Sequence, residues 1–251
     1  VEFPPKHGHG SLTSSVGDLR KVVLAHGRHW VDIDPFGSPL PFLDVSIQSL
    51  ARRGVIEASA TDSAALTGSS RGAMLRRYGS RVRTDGLAHD SALRVMMGNL
   101  ARCAARHDRS VDPLLSIWDS HHLRVSSGVI KSKEGANLVE DRLGWRVHAP
   151  TEREVVASVE SGLHPELSMD KLPMTCLLPL HFPIDRRDPR VSGPLWVGSL
   201  GSQEAMCSMT EQKALTMCVP DYEEGDIAGW SEKDFDIEKR RILRSVRNIE
   251  A

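Results

Sequence analysis

Between Trp30 and Thr61 the chain spells out a strand, a helix and a second strand, with too little sequence between them for anything but a crossover. The apolar run Trp30, Val31 and Ile33 reads as a short buried strand. Asp34-Pro35-Phe36-Gly37 ends it, because Pro removes a ladder donor and Gly permits a turn. Over residues 41–52 the apolar Phe42, Leu43, Ile47 and Leu50 fall near helical spacing, and Gly54 is the expected stop. Residues 55–61 form the second strand, closed by Asp62. A βαβ unit of this length implies parallel strands in an α/β sheet, with ligands outside their carboxyl ends. Asp34 and Asp62 are both expected at such ends.

Beyond this unit, residues 87–107 carry Ala92, Met96, Leu100 and Cys103 on one helical face, which predicts a long amphipathic helix packed on the sheet. Past Asp112-Pro113 the chain reads as extended over 114–130, so a partial first domain is expected over 1–110 and an α+β second domain over 111–251. Thr151-Glu152-Arg153-Glu154 is a capping box opening a short helix. Residues 165–194 are Pro-rich and read as loop, and 203–218 and 231–250 as helices, the last with Phe235, Ile242, Val246 and Ile249 on one face.

Charge excludes little in total but is unevenly placed. The net formal charge is −1, yet between Ser69 and Arg109 nine arginines face only Asp85, Asp90 and Asp108. This stretch, with Arg76, Arg77 and Arg81 at its centre, is a candidate phosphate-contacting face, and a solvated helix face is the competing reading. Residues 221–238 are acidic in turn. No apolar run approaches a membrane span or a secretory signal, so a soluble, cytoplasmic protein without a membrane partner is expected. Cys103, Cys176, Cys207 and Cys218 form no Cys-x-x-Cys pair, and neither a disulfide framework nor a metal site is expected.

An Asp-Pro-aromatic turn at the end of a parallel strand suits one chemical task, methylation of an exocyclic amine. Such a nitrogen is a poor nucleophile because its lone pair is delocalised. If the Asp34 carboxylate and the Pro35 carbonyl each accept one amine hydrogen, the nitrogen is pushed toward sp3 geometry and its lone pair points outward. Phe36 offers a face on which an extruded base can stack, and Gly37 lets the backbone approach closely. Asp-Pro turns are common for capping reasons alone, and the tetrad by itself favours that structural reading and does not establish the chemical one.

The longer run does. Asp32-Ile33-Asp34-Pro35-Phe36-Gly37-Ser38-Pro39, then Phe42-Leu43-Asp44, Arg52-Arg53-Gly54, Thr61-Asp62, Gly68, Arg77-Tyr78-Gly79, His89, His121, Arg124 and Gly193-Pro194-Leu195-Trp196-Val197-Gly198, resembles the tRNA guanine-26 N2-dimethyltransferases over residues 17–205. The resemblance implies a Rossmann-like methyltransferase sheet followed by the α+β domain, S-adenosyl-L-methionine as donor, tRNA as partner, and mono- then dimethylation of the guanine N2 amine. It implies catalytic roles for Asp34 and Phe36 and a donor contact from Asp18; Leu19, where the family usually has Ala, and Pro35 are read as further donor contacts, and Gly37, Asp62, Arg76, Arg77 and Arg81, from their position and charge, as substrate contacts. His89, His121 and His122 are read as structural.

The chain departs from the pattern in places, with Asp90 after His89, Thr67 before Gly68, and Ser120 and Ser199 at positions usually Asp and Pro. Asp18 also reads as a plain helix N-cap. Gly8 and Gly10 follow no strand and read as loop, and no Gly-rich loop with an acidic second strand end precedes Asp18. The chain is therefore expected to be a piece of a longer enzyme, truncated at both ends and weak in donor binding by itself. A non-catalytic tRNA-binding module, or an amine methyltransferase on another nucleic acid, are the alternatives. No obligate protein partner is evident.

Overall fold

The structure is a computed structural model describing residues 2–3, 12–168, 170–217 and 231–250. A two-residue ribbon, β1 (Glu2–Phe3) with β2 (Leu12–Thr13), precedes helix α1 (Leu19–Val22) and the main sheet. In β3 (Arg28–Ile33), Val31 and Ile33 are buried while Trp30 and Asp32 face out, the period-two alternation of a strand with one covered face. Helix α2 (Leu40–Ser49) buries Leu43 and Ile47 and returns the chain to β4 (Leu50–Ala60), which pairs parallel to β3. The expected βαβ unit is present.

Its second junction differs from the sequence reading. The helix ends at Ser49, and β4 begins five residues before the strand expected over 55–61. Gly54 lies inside that strand and is not the helix stop. A Cβ there would meet the His29 carbonyl oxygen at 2.9 Å, so Gly54 is required by the close approach of β3 and β4.

Helices α3 (Ser63–Leu66) and α4 (Arg71–Tyr78) follow, then α5 (Ala88–Ala105), which buries Ala92, Met96, Leu100 and Cys103 as its periodicity predicts. Strands β5 (Arg109–Asp119) and β6 (His122–Lys131) form a hairpin, and β6 lies antiparallel beside β4. The sheet order is β3-β4-β6-β5.

This order corrects the boundary expected at 110/111, which falls inside β5. The first sheet runs through Lys131. Pro113 marks an irregularity in the pairing between Pro113 and Leu115, and an edge strand tolerates it because a missing N–H there breaks no inner ladder. Read in sequence, Pro113 resembles a break; in the sheet it is a bulge.

After α6 (Lys133–Asn137), a second sheet forms from β7 (Leu143–His148), β8 (Thr175–Pro179) and β9 (Val191–Trp196), ordered β8-β7-β9 and antiparallel throughout. Helix α7 (Glu152–Glu160) packs on it, opened by the expected capping box: Thr151 accepts from the Glu154 N–H while the Glu154 carboxylate accepts from the Thr151 N–H. The loop expected over 165–194 thus holds two strands. Its buried Cys176, Leu177 and Leu178 and its Val191–Trp196 run supply them, with Pro179 at a strand end. One apolar core runs from Val23 to Val197, and α5 packs directly on β9: a Cβ on Gly98 would meet the Trp196 nitrogen at 3.3 Å.

The helix expected over 203–218 is two, α8 (Gln203–Ser208) and α9 (Glu211–Met217), because the Thr210 side chain caps a new helix at Lys213. Helix α10 (Glu232–Glu250) follows, with Phe235 buried. Gly8, Gly10, Cys218 and most of the acidic stretch lie outside the described residues. No helix among the described residues is long and apolar enough to cross a membrane.

Candidate functional site

Strand β3 delivers Asp34 to solvent at its carboxyl end. Ile33 is sealed in the core, Asp34 is exposed, Pro35 is half-buried, and Phe36 is 101% exposed. The Phe36 ring is thus free on all sides beside the exposed Asp34, open to a flat ligand that stacks on it.

Gly37 adopts φ +83°, which a side chain would strain, and it is pinned to the end of β4. Its N–H donates to Thr61 Oγ1 at 2.8 Å and its carbonyl accepts from the Thr61 N–H at 2.9 Å. This reciprocal clamp fixes the turn without using the Asp34 side chain. Thr61→Val keeps the shape but removes one acceptor. It should lower unfolding free energy by about 0.5 to 1.5 kcal/mol, read by chemical denaturation, and unchanged stability would show that the clamp contributes nothing.

A charge network lies beneath the turn. Arg124, on β6, donates to Asp32 and places Nε 3.0 Å from Glu57 Oε2, without hydrogen-bond alignment at that nitrogen. Burial would lower the Arg124 pKa, but the hydrogen bond to Asp32 and the charges of Asp32, Glu57 and Asp34 raise it overall. The guanidinium is therefore a fixed cation tying the ends of β3, β4 and β6 within reach of Asp34. Sequence reasoning placed Arg124 only in the family pattern, because its partners lie on other strands.

Asp62, expected to contact substrate, instead has its carboxylate occupied. The Tyr78 hydroxyl donates to it at 2.5 Å and Arg77 Nη1 at 3.0 Å, locking α4 to the end of β4. Burial, with the Asp62 hydrogen bond added, pushes the Tyr78 hydroxyl pKa up, so the tyrosine remains a donor. Arg77 keeps about half of its side chain exposed.

Asp18 caps α1. It accepts from the Arg20 N–H and Nε, both at 3.0 Å, and from Nη2 at 2.7 Å, and these contacts lower its pKa to about 2. The plain N-cap reading therefore describes its contacts. Leu19 lines an open cavity of about 450 Å³ beside β3, together with Gly17, Val22, Trp30 and Asp32. Trp30 is 64% exposed there.

The arginine-rich stretch divides by partner. Arg94 donates to Asp90 and to the Trp196 and Gly198 carbonyls, and Arg109 to the Leu50 and Ala51 carbonyls, so both are structural. Arg71, Arg76 and Arg81 are exposed, with no ion pair among the described residues. At the β5–β6 tip, Trp118 stacks on His89 with ring centroids 3.6 Å apart. The strand register sets this pair at the carboxyl end of β4, the end that carries the Asp34 turn. Trp118 was missed in the sequence, where a lone aromatic in a strand reads as core.

One group among the described residues has metal-ligand chemistry: Asp44, Cys103 and His107 bring ligand atoms within 4.8 Å of one another. Its organising contact is a 2.9 Å bond between His107 Nε2 and Asp44 Oδ1 that joins α2 to the end of α5. Burial raises the pKa of Cys103, and raises that of Cys176 to about 12, so both are inert thiols.

The chain is similar to proteins of one family. A family model described as N2,N2-dimethylguanosine tRNA methyltransferase matches residues 17–220. The chain is 39% identical over 137 residues to the tRNA (guanine(26)-N(2))-dimethyltransferase of Thermoplasma acidophilum, which covers 54% of this chain and 40% of that protein. It is 31% identical over 208 residues to the enzyme of that name from Pyrobaculum neutrophilum, covering 83% of this chain and 49% of the relative. The chain thus spans less than half the length of these relatives. Trm1 from Pyrococcus horikoshii, solved in complex with S-adenosyl-L-methionine, superposes with a TM-score of 0.71 at 23% identity, over 98% of this chain and 57% of that one. That likeness establishes a shared mixed α/β fold.

Proposed function

This chain belongs to the N2,N2-dimethylguanosine tRNA methyltransferase family, and we propose that the enzyme carrying it methylates the exocyclic N2 amine of guanine 26 in tRNA, once and then again, using S-adenosyl-L-methionine in the cytoplasm. The observation that carries the proposal is the exposed Asp34-Pro35-Phe36-Gly37 turn, held by the Thr61 clamp at the carboxyl end of β3.

The work assigned to this chain's residues is positioning and proton handling. Phe36 stacks on the extruded guanine. In the first methylation the Asp34 carboxylate and the Pro35 carbonyl accept the two amine hydrogens, and in the second Asp34 accepts the one that remains, which aims the nitrogen lone pair away from the turn. As the amine becomes cationic, Asp34 stabilises the charge and takes the proton. Arg124 holds the Asp32 and Glu57 carboxylates, so Asp34 is the acidic group left open to the substrate. When bound, S-adenosyl-L-methionine supplies an electrophilic methyl group. Leu19, Val22 and Trp30, which give the cavity beside β3 an apolar side, would hold the adenine ring, and Asp18 and Pro35, outside that lining, would make the further donor contacts. Arg76, Arg77 and Arg81 would meet tRNA phosphates.

The experiment is transfer of labelled methyl from S-adenosyl-L-methionine to unmodified tRNA by the full-length enzyme. Incorporation should fall to background when guanine 26 is replaced by adenine, and equal labelling of both tRNAs would reject the assignment.

A further inference from the structure

A second cavity, of about 370 Å³, lies between α4 and the segment that leads into β9. Its rim carries four guanidinium groups, Arg71, Arg81, Arg83 and Arg187, and its apolar side is formed by Leu75 and Val82 over buried Met74. The two nearby carboxylates are already committed. Asp85 receives a bidentate pair from Arg146 at 3.1 Å each and also lies 3.2 Å from Arg83 Nε, and Asp188 receives Arg190 at 2.7 and 3.1 Å, which leaves Arg71, Arg81 and Arg187 without an ion pair among the described residues. The rim therefore keeps a surplus of positive charge, which rules against a metal cation and favours an anion.

The walls are rigid before any ligand arrives. Arg81 and Gly193 exchange both backbone hydrogen bonds, at 2.9 and 2.7 Å, and the Arg83 N–H donates to Ser192 Oγ at 2.9 Å. Arg83 Nη1 reaches the Pro189 carbonyl at 3.1 Å. Gly68, at φ +84°, sits against the Val82 carbonyl where any Cβ would lie 2.1 Å away, so the floor tolerates no side chain.

From this arrangement we propose that the cavity binds one unstacked nucleotide of the RNA strand, away from the methylated base. The phosphate lies among the guanidinium groups and the nucleoside lies against Leu75 and Val82. A free inorganic anion would leave the apolar wall uncovered. A nucleotide uses both, since planar guanidinium groups bind phosphate bidentately and also stack on bases. The position agrees: α4 is locked through Tyr78 and Arg77 to Asp62, at the same end of the sheet as the Asp34 turn. This inference rests on the tRNA reading above and adds a second point of grip.

The test is fluorescence anisotropy of labelled, unmodified tRNA titrated with the protein across a salt series. Arg71→Glu with Arg187→Glu should weaken binding at 0.1 M salt by more than about tenfold and flatten the log-log salt slope by about 1.4 to 1.8, the value for two lost phosphate contacts. The control, Lys131→Glu with Lys133→Glu, reverses the same charge at the far end of β6 and the start of α6 and should leave the slope within experimental error. Arg71→Ala with Arg187→Ala guards against misfolding and should give the same direction. Leu75→Gln should weaken binding several-fold at an unchanged slope. Equal losses in the arginine and lysine variants would overturn the cavity as a site, and an unaffected Leu75→Gln would overturn the nucleoside contact. Wild-type protein that fails to bind tRNA at all would overturn the tRNA reading itself, an outcome distinct from the others.

Discussion

Replacing Asp34 with Asn in the full-length enzyme is expected to lower turnover by roughly 10² to 10⁴ fold, about 3 to 5 kcal/mol in the barrier, while tRNA affinity changes by no more than a few fold. The amide keeps the shape and one acceptor oxygen but loses the negative charge, and its nitrogen offers a donor where the amine also donates. The lost interaction strengthens as the amine becomes cationic, so the damage falls on the transition state and not on the ground state. The fold should survive, because the turn is held through Gly37 and Thr61. Phe36→Ala should behave differently and weaken both base capture and rate, since stacking contributes roughly 1 to 3 kcal/mol per base. Single-turnover kinetics with a parallel binding isotherm separate the two. Asp34→Asn turnover within about threefold of wild type would return Asp34 to a turn-forming role ahead of Pro35.

Arg146→Ala is expected to cost about 3 to 5 kcal/mol of stability, the usual penalty for breaking a buried pair on one side. Arg146 is 3% exposed, lies on β7, and makes its bidentate bond to Asp85 in the segment before α5, with a further contact to Ser192 on β9. It joins the second sheet to the segment that leads into α5, and removing it leaves the Asp85 carboxylate with Arg83 alone, at 3.2 Å. The melting temperature should fall by roughly 2 to 4 °C per kcal/mol in a chain of this size. The double change Arg146→Met with Asp85→Leu should recover much of the loss, because both charges of the buried pair go together and Arg83, half-buried, keeps its bond to the Pro189 carbonyl. A double variant no more stable than Arg146→Ala would show that packing, and not the uncompensated charge, sets the penalty.

The features legible in the sequence are those whose cause is local. The alternation of Val31 and Ile33, the helical spacing in α5, the Thr151–Glu154 capping box and the Asp34 turn each arise within a few residues, and the structure reproduces them. Features that depend on distant neighbours were misread. Pro113 signals a break until β6 is seen beside it, Gly54 signals a helix stop until His29 is seen opposite, and β8 and β9 hide between prolines because their pairing partner, β7, is some thirty to fifty residues upstream. The candidate site follows the same rule. Its motif lies in one stretch of chain, whereas the Arg124 network, the Tyr78 lock on Asp62 and the arginine-rimmed cavity assemble from segments that no spacing argument joins.

The proposed function has the turn present two acceptors to an exocyclic amine. Its most direct measurement is the identity of the modified nucleoside, obtained by digesting enzyme-treated tRNA and resolving the products by mass and chromatographic position. N2-methylguanosine is expected early and N2,N2-dimethylguanosine late, both at position 26. Methylation at a ring nitrogen, which has no pair of amine hydrogens for Asp34 and Pro35 to accept, would contradict it.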